Sequence, residues 1–123
     1  MDYYKRKAVT SGLGDRIGNY LMFAMIAEIK NIYIYTFWDY TNSWGKLFPD
    51  DIFEFISFPN RLKFVSKEEF NNLKNPELKY RWVYHGFDYI PETIYRSLYE
   101  DGDIKCTYNE MLNAYRKVSK ELF

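Results

Sequence analysis

The sequence has no surplus charge of either sign: 17 Lys and Arg balance 17 Asp and Glu. No basic arm or stripe gathers the cations, so the phosphate neutralisation that drives nucleic-acid binding has no visible source. Nucleic acid is therefore not an expected partner. Cysteine is nearly absent. Cys106 stands alone and forms no internal disulfide, which fits a reducing, cytoplasmic compartment. His85 is the one histidine, and with Cys106 it offers no metal-ligand spacing. Neither a metal nor a cofactor is called for. Long apolar runs are missing too. The longest spans residues 20–27, and those eight residues fall far short of the roughly 20 a bilayer span requires. No apolar run follows the charged first residues, so a secretory signal is not expected there. Repeats, low-complexity tracts and linkers are lacking.

What is present is one domain's worth of chain: 123 residues, 47% hydrophobic, enough for a single core and not for two. Tyrosine and phenylalanine are abundant, at 13 and 10 residues. They supply large buried areas, each tyrosine hydroxyl needing a polar partner or water.

The periodicity predicts alternating strands and helices. Residues 7–11 contain Val9 and Thr10, stop at Gly12, and read as a first strand. Residues 15–30 are free of proline and rich in Leu, Met, Ala, Ile and Glu, a helix with Asp15 at its positive end. Its segment 20–27 is apolar nearly all round, which requires cover on most sides. Residues 32–37, Ile-Tyr-Ile-Tyr-Thr-Phe, are a second strand, completing a βαβ unit with parallel pairing and a right-handed crossover. Residues 39–46 read as loop, and Pro49 opens a short helix over 50–55. A third strand is expected at 62–65. A Ser66–Glu69 capping box then starts a helix reaching about Leu73. A fourth strand is expected at 80–84. Pro91 opens a helix to about Tyr99, broken by Asp101-Gly102. Thr107 and Glu110 cap the last helix, whose Met111, Leu112, Tyr115 and Val118 form an apolar stripe. The fold class read from this order is α/β, a Rossmann-like three-layer domain with a mostly parallel sheet of about four strands.

The chemistry-bearing stretch is Ser11-Gly12-Leu13-Gly14-Asp15-Arg16-Ile17-Gly18. It follows a strand and enters a helix, the context a phosphate-binding turn requires. Gly12 and Gly14 let a ligand approach the backbone without a Cβ in the way. The free amides of the first helical turn point toward such a ligand, and Arg16 can add a bidentate fork. No Gly-Lys-Ser/Thr follows, so this is not a P-loop. As Gly-x-Gly-x-x-x-Gly it is a loose variant of the dinucleotide fingerprint, with Asp39 placed to meet a ribose. A tight turn with Arg16 solvated or paired remains the plain alternative. Trp38, Tyr40 and Trp44 cluster after the second strand, where they can stack on a sugar ring or simply close over the core. A triad of Ser11, His85 and Asp88 lacks a nucleophile elbow and is set aside. Asp50-Asp51 and Glu68-Glu69 read as helix N-terminal charges rather than paired acid–base carboxylates.

Gly12-Leu13-Gly14-Asp15-Arg16-Ile17, followed by an apolar helix and a strand, resembles the opening motif of the fucosyltransferase-like glycosyltransferases. The match covers roughly thirty residues, with only the order of elements agreeing beyond it. The resemblance implies one half of a two-Rossmann-domain enzyme that uses GDP-fucose or a similar nucleotide sugar and a glycan or protein acceptor. It implies that Gly14, Asp15 and Arg16 lie in the cleft between the halves, Asp15 taking the position that contacts a sugar. The implied site is Gly12, Leu13, Gly14, Asp15, Arg16, Trp38 and Asp39, with Asp15 and Arg16 catalytic. The family's second half carries a His-x-Arg motif that grips the diphosphate. None occurs here; His85 sits in His-Gly-Phe-Asp with no Arg two residues on. The chain is accordingly expected to correspond to the N-terminal half, completed by a further domain or a homo-oligomer. The competing expectation is a non-catalytic interaction protein built on the half-domain, and a third is a small dinucleotide-binding domain.

Overall fold

The computed structural model describes residues 2–8, 13–38, 57–81 and 91–122. They form an α/β arrangement around a three-stranded parallel sheet, in the order β1 (Tyr3–Lys5), β2 (Tyr33–Thr36), β3 (Leu62–Phe64). Between the first two strands runs α1 (Leu13–Lys30). After β3 come α2 (Lys67–Asn72) and α3 (Pro91–Arg96), then a π-helical turn (Ser97–Asp101), then α4 (Tyr108–Leu122). The expected loop at 39–46, the helix at 50–55 and Trp82, Val83 and Tyr84 of the fourth strand lie outside the described residues.

Strand alternation divides the sheet into two unlike faces. Ile34, Thr36 and Leu62 point to one side and are buried; Tyr20 of α1 meets Phe64 on that same side, ring centroids 5.1 Å apart. On the other side stand Tyr3, Lys5, Tyr33, Tyr35 and Lys63. Here α2 covers one end, where Lys5 Nζ lies 5.1 Å over the Phe70 ring. Helices therefore pack on both faces of the sheet. The core runs through α1: Phe23, Ala24, Met25, Ile26 and Ala27 are fully buried, as an all-round apolar segment demands. Met111 and Val118 of α4 are buried with them, while Leu112 and Tyr115 pack at the margin. Glu28 ties three elements together, 3.1 Å from Lys117 of α4 and 3.6 Å from Arg61 beside β3.

Both helices start at their predicted caps, one with half of its capping box and the other with the whole of it. Ser66 Oγ accepts from the Glu69 amide at 3.0 Å. Thr107 and Glu110 exchange bonds reciprocally, the Thr107 amide donating to Glu110 Oε1 at 3.0 Å and the Glu110 amide to Thr107 Oγ1 at 3.1 Å.

Two expectations about strands need correction. The first strand is Tyr3–Lys5, not residues 7–11; Lys7 and Ala8 lie beyond its end, and Val9 to Ser11 lie outside the described residues. Tyrosine has as strong a strand preference as the β-branched residues. Tyr3 stacks on Tyr33 across the pairing, ring centroids 4.9 Å apart and planes within 12°, and on Tyr35 at 5.8 Å. That cross-strand contact selects the earlier register. The second correction concerns Tyr80 and Arg81, which are not in a strand. Tyr80 turns inward instead, its ring edge-on to Phe23 at 6.4 Å and its hydroxyl 3.5 Å from Ser97 Oγ. The chain meets the sheet slightly earlier. Glu77 makes a single parallel bridge to Lys5, with Lys5 donating to Pro76 O and Leu78 donating to Lys5 O, both at 3.0 Å. These bonds use the edge of β1 that faces away from β2.

The helix opened by Pro91, expected to reach about Tyr99, is α-helical to Arg96 and continues as a wider π turn to Asp101, stopping at Gly102. The Gly102 amide closes it on Ser97 O at 2.9 Å.

Candidate functional site

α1 begins at Leu13, two residues before the predicted start. Leu13, Gly14 and Asp15 are thus the first helical turn rather than the loop ahead of it. The amides of a helix's first turn have no carbonyl partners within the helix and carry the positive end of its dipole. Seven residues separate this end of α1 from the end of β1 at Lys5, of which Val9 to Gly12 lie outside the described residues. Gly12 itself lies outside the described residues, as do Asp39, Tyr40 and Trp44, and also Ser11, His85 and Asp88.

Arg16 and Trp38 come together. Arg16 is completely buried, and its guanidinium carbon lies 5.8 Å from the Trp38 ring centroid. Trp38 stands just past the end of β2, held on a second side by Tyr20, which stacks on it at 5.4 Å. Arg16 and Tyr20 are one helical turn apart, so both reach the same ring. Tyr20 then anchors α1 to the strand end by donating its hydroxyl to the Phe37 carbonyl. The arrangement is an interior cation held against an aromatic face, with the first turn of α1 next to it in sequence. A desolvated cation–π pair is worth about 2 kcal/mol.

Two residues that the sequence reading did not single out belong to this region. Asn19 and Thr36 are buried polar groups, Asn19 on α1 between Arg16 and Tyr20 and Thr36 at the end of β2. The available signal was a polar side chain at the start of an otherwise apolar helical run. Removing the Tyr20 hydroxyl tests how the corner is held. Tyr20→Phe leaves the Phe37 carbonyl buried without its donor and is expected to lower stability by about 1–2 kcal/mol. Urea unfolding should show this as a lower midpoint with an unchanged slope.

No family model, curated protein or solved structure matches this chain. The site is therefore read from its own geometry.

Among the described residues no group of three or more His, Cys, Asp or Glu side chains could hold a metal ion, and no helix is long and apolar enough to cross a membrane. Cys106 is buried; burial and, secondarily, the Glu110 charge push its thiol up from the ordinary value. It stays protonated at neutral pH and is a poor nucleophile there.

Proposed function

We propose that this chain is the nucleotide-sugar-cradling half of a fucosyltransferase-like glycosyltransferase, built as a Rossmann-like three-layer domain. The carrying observation is the order across the sheet. β1 pairs with β2 and β2 with β3, whereas Glu77 pairs on the opposite edge of β1. The chain thus leaves β1 in one direction and later returns to its other side, where a single bridge at Glu77 meets it. In open α/β sheets such a reversal opens a crevice beyond the carboxyl ends of the strands, and ligands bind there. The first turn of α1 is assigned to that crevice, since α1 is the element that follows β1 in the chain.

In this reading the amides of Leu13, Gly14 and Asp15 face the donor diphosphate, with the α1 dipole behind them. Arg16 acts from the interior, where its contact with Trp38 fixes the first turns of α1 against the end of β2. Asp15 orients or deprotonates the acceptor hydroxyl as that oxygen bonds to the anomeric carbon and the bond to the leaving diphosphate breaks. The positive end of α1 offsets the charge gathering on the leaving group.

Calorimetric titration with GDP-fucose and GDP tests the proposal. Saturable binding is expected, with GDP competing. Asp15→Asn should leave binding within a factor of about three while removing transfer to an acceptor in the completed enzyme. Absence of binding to either nucleotide, by a chain whose thermal unfolding remains cooperative, would overturn it. A stable dimer by light scattering in that case would favour the interaction-module reading.

A further inference from the structure

A group of three cations lies at the far end of α1 from the proposed nucleotide site. An open cavity of about 660 Å³ is lined there by Lys30, Lys79 and Arg81, over a floor that includes Tyr80 and Gly102. Lys30 is the last residue of α1 and Leu13 the first, so the helix separates the two places by about 25 Å. They are different sites.

On a chain whose charges sum to zero, three cations around one cavity mark a local excess. The carboxylate in the lining, Asp103, does not cancel it. Asp103 Oδ1 lies 2.9 Å from Lys105 Nζ. The hydrogen bond to Asp103, and then its charge, hold the Lys105 ammonium above its ordinary pKa, so that pair remains neutral as a unit. Lys30, Lys79 and Arg81 make no ion pair among the described residues. The carboxyl end of α1 contributes about half a negative charge at most, against three full positive ones. The cations win.

The floor is shaped as well as charged. The Tyr80 ring lies so close over Gly102 that no side chain fits beneath it. The π turn ending at Gly102 adds a local feature often found at functional sites. The volume lies within the range of small-molecule sites, about 300–1,000 Å³.

We infer that this cavity binds a small multivalent oxyanion of the diphosphate class, held by Lys30, Lys79 and Arg81 above the Tyr80–Gly102 floor. One cation from the end of α1 and two from the segment after Glu77 can each face a different oxygen, and a multivalent anion relieves their mutual repulsion where a monovalent one does not. Because the cations are exposed, the attraction is screened by salt.

The test is titration of the isotope-labelled full chain with sodium pyrophosphate at low ionic strength, read by amide shifts and calorimetry. Saturable shifts at Gly102, Asp103 and Ile104 are expected, weakening steeply with added salt. Lys79→Glu and Arg81→Glu, both on exposed side chains, should each weaken binding about tenfold. Arg116→Glu makes the same charge change as Arg81→Glu on the exposed side of α4, and should stay within about twofold. The inference is overturned by a lack of saturation, by shifts confined to residues 13–16, or by equal weakening in Arg116→Glu.

Discussion

Gly102→Ala is expected to destabilise the protein by about 3 kcal/mol or more, although it adds one methyl group. A β-carbon at this position would overlap Tyr80 Cε2 and lie 2.6 Å from Tyr80 Cδ2 and 2.9 Å from the Ser97 carbonyl oxygen. Backbone conformation is not the obstacle, since the φ of Gly102 is −91°. The obstacle is space, and neither neighbour can yield cheaply. Ser97 O accepts the Gly102 amide that closes the π turn, so moving it opens that turn. The Tyr80 ring is buried between Gly102 and Phe23. Denaturant unfolding should show the loss as a lowered midpoint. The companion experiment is Gly102→Ala combined with Tyr80→Leu, which removes the ring atoms that clash. The double variant should be more stable than the sum of the two single losses predicts, a coupling of about 1 kcal/mol or more. Simple additivity would mean that the strain lies in the π turn and not in the ring contact.

Phe23→Ala is the second large effect, at about 3–5 kcal/mol. Phe23 is fully buried at the middle of α1, edge-on to Tyr20 at 6.2 Å and to Tyr80 at 6.4 Å. It therefore links the Arg16–Trp38 corner to the Gly102 corner. Truncation removes the buried ring area and leaves a cavity whose neighbours are held by separate anchors. Tyr20 is fixed by its bond to the Phe37 carbonyl, and Tyr80 by its packing on Gly102. Little collapse is possible, so the loss should sit in the upper half of the range. Phe23→Leu, which keeps most of the volume, should cost less than half as much. A loss below about 1 kcal/mol for Phe23→Ala would show that the site relaxes and that the two corners are not mechanically joined.

The elements that read most clearly in the sequence were those whose signal is local. The apolar run at residues 20–27 called for a helix covered on most sides, and all but a trace of that segment is buried. Ser66–Glu69 and Thr107–Glu110 announced helix starts by the spacing of two polar groups, and both helices begin there, the second with a reciprocal box. The second and third strands were visible from their β-branched and aromatic content. What could not be read depends on partners far away in the chain. Tyr3–Lys5 becomes a strand because Tyr33 and Tyr35 lie opposite, and Tyr80 leaves the sheet because Phe23, Ser97 and Gly102 receive its side chain. At the proposed nucleotide site the glycine motif was legible, as was its entry into a helix. The burial of Arg16 was not, since an arginine on an amphipathic turn is normally solvated. Its position follows from Trp38, a contact between α1 and the end of β2 that no local pattern encodes.

The bridge at Lys5 and Glu77 also governs the order in which the chain can assemble. One pair of backbone bonds holds that edge, reinforced by three side-chain clasps on carbonyl oxygens: Lys5 Nζ to Leu73 at 3.1 Å, Arg6 Nη1 to Leu78 at 3.2 Å and Asn75 Nδ2 to Tyr3 at 3.3 Å. The Arg6 and Asn75 clasps each join residues 72 apart in sequence. Loop-closure entropy grows only slowly with length, by about 0.6 kcal/mol per doubling, so the edge is not costly to seal once its partners exist. Its partners, however, are β1 already paired to β2 and a segment that follows α2. The edge therefore closes late in folding and is the first part of the sheet to open under native conditions. The crevice proposed beside β1 would then be bounded by one permanent wall and one that can breathe.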